Sequence, residues 1–164
     1  IILYGFRLTF QNLQEVGVNG ILVAFCIVFF TFIFGYIIGT KVLKMDKELA
    51  ILCSAGSSIC GAAAVMATQS VLKNEAYNSA VAVSFVVIFG TIGMFLYPFL
   101  DKVGVFLFTR SQMGIYIGAA LHEVAHVVGA SNALGEIVST NAIIEKMIRV
   151  IFLVPFLFLL SFYQ

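Results

Sequence analysis

Long apolar stretches alternate with short polar ones along this chain, and the apolar lengths decide its class. Val18 to Thr40 is 23 residues without a charge, and about 20 helical residues cross the ~30 Å hydrocarbon core of a bilayer. Leu49–Leu72, Ala80–Phe99 and Asn141–Tyr163 are further stretches of spanning length. No segment keeps the two-residue alternation of a barrel wall. The pattern predicts an all-α fold, a polytopic membrane helical bundle, with residues 1–164 as a single membrane domain.

The polar stretches read as connections. A helix is expected to end near residue 13, with Arg7 as an interfacial snorkeller and QNLQEVG as a short link. KVLKMDKE, Lys73–Asn78 and SNALGE are the next links, and Val103–Gln112 reads as a short interfacial segment. Gly35 and Gly39, like Gly90 and Gly93, are expected at close helix contacts. Pro98 is expected to end its helix and Pro155 to kink the last one. Glu145 and Arg149 stand four apart, the spacing of a surface pair. Lys41, Lys44 and Lys47 favour a cytoplasmic loop. Lys102 and Arg110 fall on that same side in this reading, nearly balanced by Arg7, Lys73, Lys146 and Arg149 on the other.

Two stretches depart from the simple span. The middle of Leu49–Leu72 is GSSICG, where Gly56, Ser57, Ser58, Cys60 and Gly61 weaken a helix at the driest depth. Irregular backbone survives there only when covered by protein or lining a cavity. Broken helices of this kind aim half-helix ends at a substrate, and free N–H groups at such an end suit an anion. Gly114–Ala130 is marginally short for a crossing and carries His122, Glu123 and His126. Two compromised helices in one chain point to a transporter site.

Composition narrows the classes further. The chain is 62% apolar, 10% charged, with a net charge of +1, and its mean hydropathy is +1.09. That leaves no basic surface for nucleic acid. Cys26, Cys53 and Cys60 lie inside apolar segments and give no disulfide framework. The opening IILYGF lacks a charged n-region and a small-residue cleavage site, so it does not read as a signal peptide. The sequence reads as cut from a longer one.

HEVAH (122–126) admits three readings. On a continuous helix His122 and His126 would share a face, as in HExxH zinc proteases. Zinc needs a third protein ligand, and Glu145 is the best placed. Under a transport reading, a buried Glu123 or histidine takes up and releases a proton as the site changes exposure. Under a third, the chain is a non-catalytic membrane scaffold in which the histidines hold helices together.

The blocks LYGFRLTF (3–10), GSSICGAAAV (56–65), IFGTIGMFLYP (88–98), GIYIGAALHEVAHVVGA (114–130) and KMIRVIFLVPFL (146–157) together resemble the bacterial YeiH-like integral membrane family. That family is described as sulfate exporters, and its members are about twice this length. The resemblance implies broken helices forming half of an inverted-repeat antiporter/symporter-type fold. It also implies a multi-pass location in the bacterial inner (plasma) membrane. Gln commonly stands in that family where this chain has His126, so His122 with Glu123 is the part carried over. The expectation is a non-enzymatic secondary transporter of a small anion, sulfate or another sulfur oxyanion. Gly56, Ser57, Ser58, Cys60 and Gly61 would bind the substrate, and His122, Glu123 and His126 would couple or gate. Expected partners are the lipid bilayer, a small anion and a coupling proton or sodium ion, with a homo-oligomer left open and no cofactor.

Overall fold

The computed structural model describes the backbone of residues 10–72 and 75–162, and the side chains of 20–72 and 75–162. Residues 1–9, with Arg7, and Lys73 lie outside the described residues, while the helix expected to end near residue 13 continues through that position. Every regular element among those described is helical. Helix α1 (Phe10–Ile37) closes in a wider π turn, Ile38–Val42. It runs unbroken through QNLQEVG, so the link expected there is absent. Gln and Glu are good helix formers, and their polarity marks a helix end at the interface, not a break. The chain then turns through Lys44 at a φ of 53°.

α2 (Lys47–Ser58) and α3 (Ala62–Leu72) follow, interrupted at residues 59–61 as GSSICG predicts. Gly61 adopts a φ of +73°, a conformation few other residues tolerate. The interruption is a reversal, however, and not a gap in a spanning rod. Leu52 of α2, Val65 of α3 and Ala82 of α4 (Ala76–Val103) pack in one cluster. Gly56 lies against both Val65 and Val86, so α2 runs alongside α4 in the same direction. Only three residues separate the end of α3 from the start of α4, so the outer end of α3 is the end from which α2 entered. Leu49–Leu72 is therefore a re-entrant hairpin, and this corrects the expectation of a broken spanning helix.

The second compromised stretch reverses too. α5 (Arg110–Ala120) and α6 (Val124–Asn132) are separated at Leu121–Glu123. α7 (Glu136–Ile151) follows α6 after a turn through Gly135 at a φ of +109°. Gly114 of α5 packs on Val138 and Asn141 of α7, and Gly118 packs on Ala142 and Glu145. α5 and α7 thus run in parallel. Against α4 the order inverts: Gly90 meets His126 and Met94 meets Gly129, while Tyr97 meets Tyr116 and Gly93 meets Leu121. α6 is parallel to α4 and α5 antiparallel to it, so the pair is a hairpin whose open end lies at the far end of α4.

α4 is the ruler between the two hairpins. Its 28 residues reach about 42 Å at 1.5 Å per residue. It also runs past Pro98, which was expected to stop it. The missing N–H costs one hydrogen bond near a helix end, and the helix stops at Gly104 with a φ of +82°. Near its middle, Val86 touches Gly61 at one hairpin tip, and Gly90 and Gly93 touch His126 and Leu121 beside and at the other. The tips therefore meet at mid-membrane, one entering from each face. Thr109 and Gln112 form a capping box that starts α5, so only 104–109 of the expected interfacial segment is irregular. α7 begins at Glu136, five residues ahead of the last apolar stretch expected from Asn141. It continues as α8 (Leu153–Ser161) after an interruption at Phe152, in keeping with the kink expected from Pro155.

The charge map changes accordingly. Lys41, Lys44 and Lys47 stand at one face, Lys102 and Arg110 at the opposite face, with Arg110 paired to Asp101 at 2.8 Å. Lys146 and Arg149 belong to neither face. Cysteine accessibility tests this topology in an otherwise cysteine-free, full-length background. Asp46→Cys and Glu75→Cys should react with an impermeant maleimide from one side, and Lys102→Cys and Glu136→Cys from the other. Labelling of positions 46 and 75 from opposite sides would restore the spanning-helix reading.

Candidate functional site

A helix leaves its last carbonyls without partners, and at mid-membrane no water replaces them. α2 and α5 both present such ends to the centre. Two cations from α7 meet them. Lys146 Nζ donates to Ile59 O and Leu121 O, each at 2.8 Å, and so bridges the two tips. Arg149 Nε donates to Ser58 O at 3.2 Å, Nη2 to Ser57 O at 3.3 Å and again to Ser58 O, and Nη1 to Gly118 O at 3.2 Å and to Ala119 O. Both side chains are fully buried: Lys146 is 0% and Arg149 1% exposed. Positive charge there also suits the negative ends of both helix dipoles.

The opposite end of the dipole is served by an acid. Glu123 leaves the α5–α6 break and accepts a hydrogen bond from the Ala62 N–H, at the start of α3, at 3.3 Å. Gly61 lies against the Glu123 side chain, and a Cβ there would collide with it. The N–H end that was expected to be open to an anion thus holds a carboxylate of the protein itself.

His122 and His126 do not share a helical face. His122 sits in the break, Glu123 is the cap residue of α6, and only His126 is helical. The HExxH arrangement depends on one continuous turn carrying both imidazoles, and the reversal removes that turn. His126 turns to α4, where Gly90 leaves room for its ring, and its Nε2 lies 3.3 Å from Thr91 Oγ1. Its Nδ1 is 3.9 Å from Glu123 Oε2, too long for a hydrogen bond. The Nδ1 atoms of both histidines are buried without a hydrogen-bond partner. No three His, Cys, Asp or Glu side chains gather as a metal site among the described residues.

The five residues expected to bind substrate divide. Ser57 and His122 line one cavity of about 290 Å³, which extends past Gly35, Gly39 and Ser54 to Leu43 and Met45 near the lysine loop. Ser58 is fully buried and its hydroxyl donates to Ala55 O, within its own helix. Cys60 is turned into the packing of Val28, Ile59 and Ala64. Gly56 and Gly61 serve close approach, the first against Val65 and Val86 and the second against Glu123.

Sequence reasoning missed the two residues that organise the centre. Lys146 and Arg149 read as interfacial, and Glu145 with Arg149 as a surface pair, yet all three are buried. The available signal was their place in AIIEKMIRVIFLVPF, where three charges stand inside a stretch of spanning length. Arg149→Met should lower unfolding stability in detergent by at least about 3 kcal/mol, since each carbonyl left without a donor costs about 1–3 kcal/mol. Arg149→Lys should recover part of that loss. An Arg149→Met protein melting with wild type would show that the carbonyls do not depend on it.

Comparison with known proteins agrees with the membrane reading. The family model described as Conserved hypothetical protein 698 matches residues 1–164. A UPF0324 membrane protein of Bacteroides thetaiotaomicron is 55% identical over 99% of this chain and 48% of its own length. A UPF0324 membrane protein of Haemophilus influenzae is 47% identical over 98% of the chain and 48% of its own. The UPF0324 inner membrane protein YeiH of Escherichia coli K12 is 48% identical over 98% and 46%. The chain thus spans about half the length of the curated relatives it matches. No solved structure matches it. The chain belongs to the family of Conserved hypothetical protein 698, the UPF0324 or YeiH-like membrane proteins of bacteria.

Proposed function

We propose that this chain forms the substrate-binding core of a secondary transporter, not an enzyme, that moves a small anion across the bacterial inner membrane. Sulfate or another sulfur oxyanion is the substrate class. The observation carrying this reading is the meeting of two oppositely inserted hairpins around buried Lys146 and Arg149. Opposed insertion is what inverted repeats produce, and transporters of that construction bind at the repeat interface near the midplane. We further propose that the α2–α3 and α5–α6 hairpins are such repeats.

An anion entering by the cavity would reach the Ser57 hydroxyl and the His122 imidazole, in the field of the two cations. Sulfate fits a cavity of about 290 Å³ with room for water. Glu123 acts as gate: moving its carboxylate from the Ala62 N–H frees a helix N-terminus for the substrate. His126, held between Gly90 and Thr91, fixes the break from behind. A proton or sodium ion couples the movement.

Flux of radiolabelled sulfate in proteoliposomes holding the full-length protein tests the proposal. Ser57→Ala and His122→Ala should each raise the half-saturating sulfate concentration about tenfold. A hydrogen bond to a charged ligand is worth about 1.5–3 kcal/mol, and tenfold in affinity is about 1.4. Wild-type protein that moves neither sulfate nor sulfite would refute the anion assignment.

A further inference from the structure

Glu145 has no part in the reading above. It precedes Lys146 on α7 and stands one turn before Arg149. It is 0% exposed, and neither of its carboxyl oxygens has a hydrogen-bond partner. An ionised carboxylate without donors is costly in an apolar interior, whereas the neutral acid is far less so. Its two cationic neighbours are occupied: the hydrogen bonds given above for Lys146 and Arg149 all go to carbonyls at the hairpin tips.

The surroundings isolate this group. The charged groups whose fields reach Glu145 are Arg149 and Lys146. Cys60, Glu123 and His122, at the tips, interact with those cations instead. α5 meets Glu145 through Gly118, and its one charged residue, Arg110, is at the outer end. α1 carries no carboxylate or cation between Gly20 and Ile37, and α6 carries only His126, turned to α4. Residues four apart share a helix face, so Arg149 is able to serve either the tips or Glu145.

We propose that Glu145 is the proton-binding residue of the transport cycle, with Arg149 as the switch that links its proton to closure of the hairpin tips. While Lys146 and Arg149 hold both tips, the Glu145 carboxyl keeps its proton. When a tip withdraws, its carbonyls release the guanidinium, which turns back one helical turn to the carboxyl group. The O–H bond then breaks, the proton passes to water entering behind the tip, and a carboxylate–guanidinium pair replaces the guanidinium–carbonyl bonds. Closure reverses each step, and the guanidinium keeps its charge throughout. The role in flux rests on the transport reading; the bound proton does not.

Two measurements on the full-length protein separate those claims. Infrared spectra in detergent should show a protonated-carboxyl C=O band that vanishes in Glu145→Gln and shifts in Glu145→Asp. Gln has the shape of the protonated acid, and Asp keeps the acid should the Gln protein not fold. In proteoliposomes, sulfate uptake driven by a proton gradient should exceed equal-pH counterflow several-fold, and Glu145→Gln should bring that ratio to unity. A spectrum unaltered by both substitutions, or gradient stimulation surviving in Glu145→Gln, overturns the proposal. Wild-type protein without sulfate flux refutes the transport reading alone, and the infrared band then decides Glu145 by itself.

Discussion

Backbone carbonyls that end in the middle of a membrane must find donors inside the protein, and the arrangement of this chain follows from how it supplies them. Each hairpin descends as a helix, stops near the midplane and returns. Each stop exposes carbonyls that water would satisfy in a soluble protein. Lys146 and Arg149 answer both stops from a single helix. Because Lys146 bonds to both tips at once, the two hairpins share one fastening. Neither tip is able to move without changing what the cations hold.

Such sharing needs helices that come very close, and small residues provide the approach. In lipid, helices associate through close packing and polar contacts, not through a hydrophobic drive between them. Gly35 of α1 and Gly39 of the π turn that closes it bring Ser54 and Ala50 of α2 against their backbone. Gly114 and Gly118 do the same between α5 and α7, which seats the carbonyls of residues 118 and 119 within reach of Arg149. Gly90 is left bare for the ring of His126. These positions are packing requirements first, and the polar centre is assembled by them.

The centre is also close to electrically balanced. Two buried cations lie at the negative ends of α2 and α5, and Glu123 lies at the positive end of α3. Glu145 stands among these groups without a hydrogen bond of its own. A satisfied polar network is rigid, and an unsatisfied acid such as Glu145, with neither carboxyl oxygen bonded, is a place where a change of state costs less. The cavity from the lysine loop reaches this centre at Ser57 and His122, beside the fastening and not through it.

Much of this was legible in the residues. Apolar length fixed the class, because lipid tolerates only backbone that satisfies itself, and the blocks quoted for the family matched along the whole chain. The interruptions at GSSICG and before VAHVV were legible because Gly and Ser clusters, and polar residues at depth, weaken a helix wherever it packs. Their direction was not. Whether a chain continues or reverses after a break depends on which neighbour receives each arm, and the one-dimensional pattern is the same for both. The same ambiguity hid Lys146 and Arg149: a charge near a helix start looks interfacial until the helix is seen to begin earlier, at Glu136, and to lean on two tips. Sequence by itself determined the membrane class and where the helices fail. Only the packing of those helices decided that the failures meet, since it takes contacts between residues about 90 positions apart, such as Ser58 with Arg149, to join them.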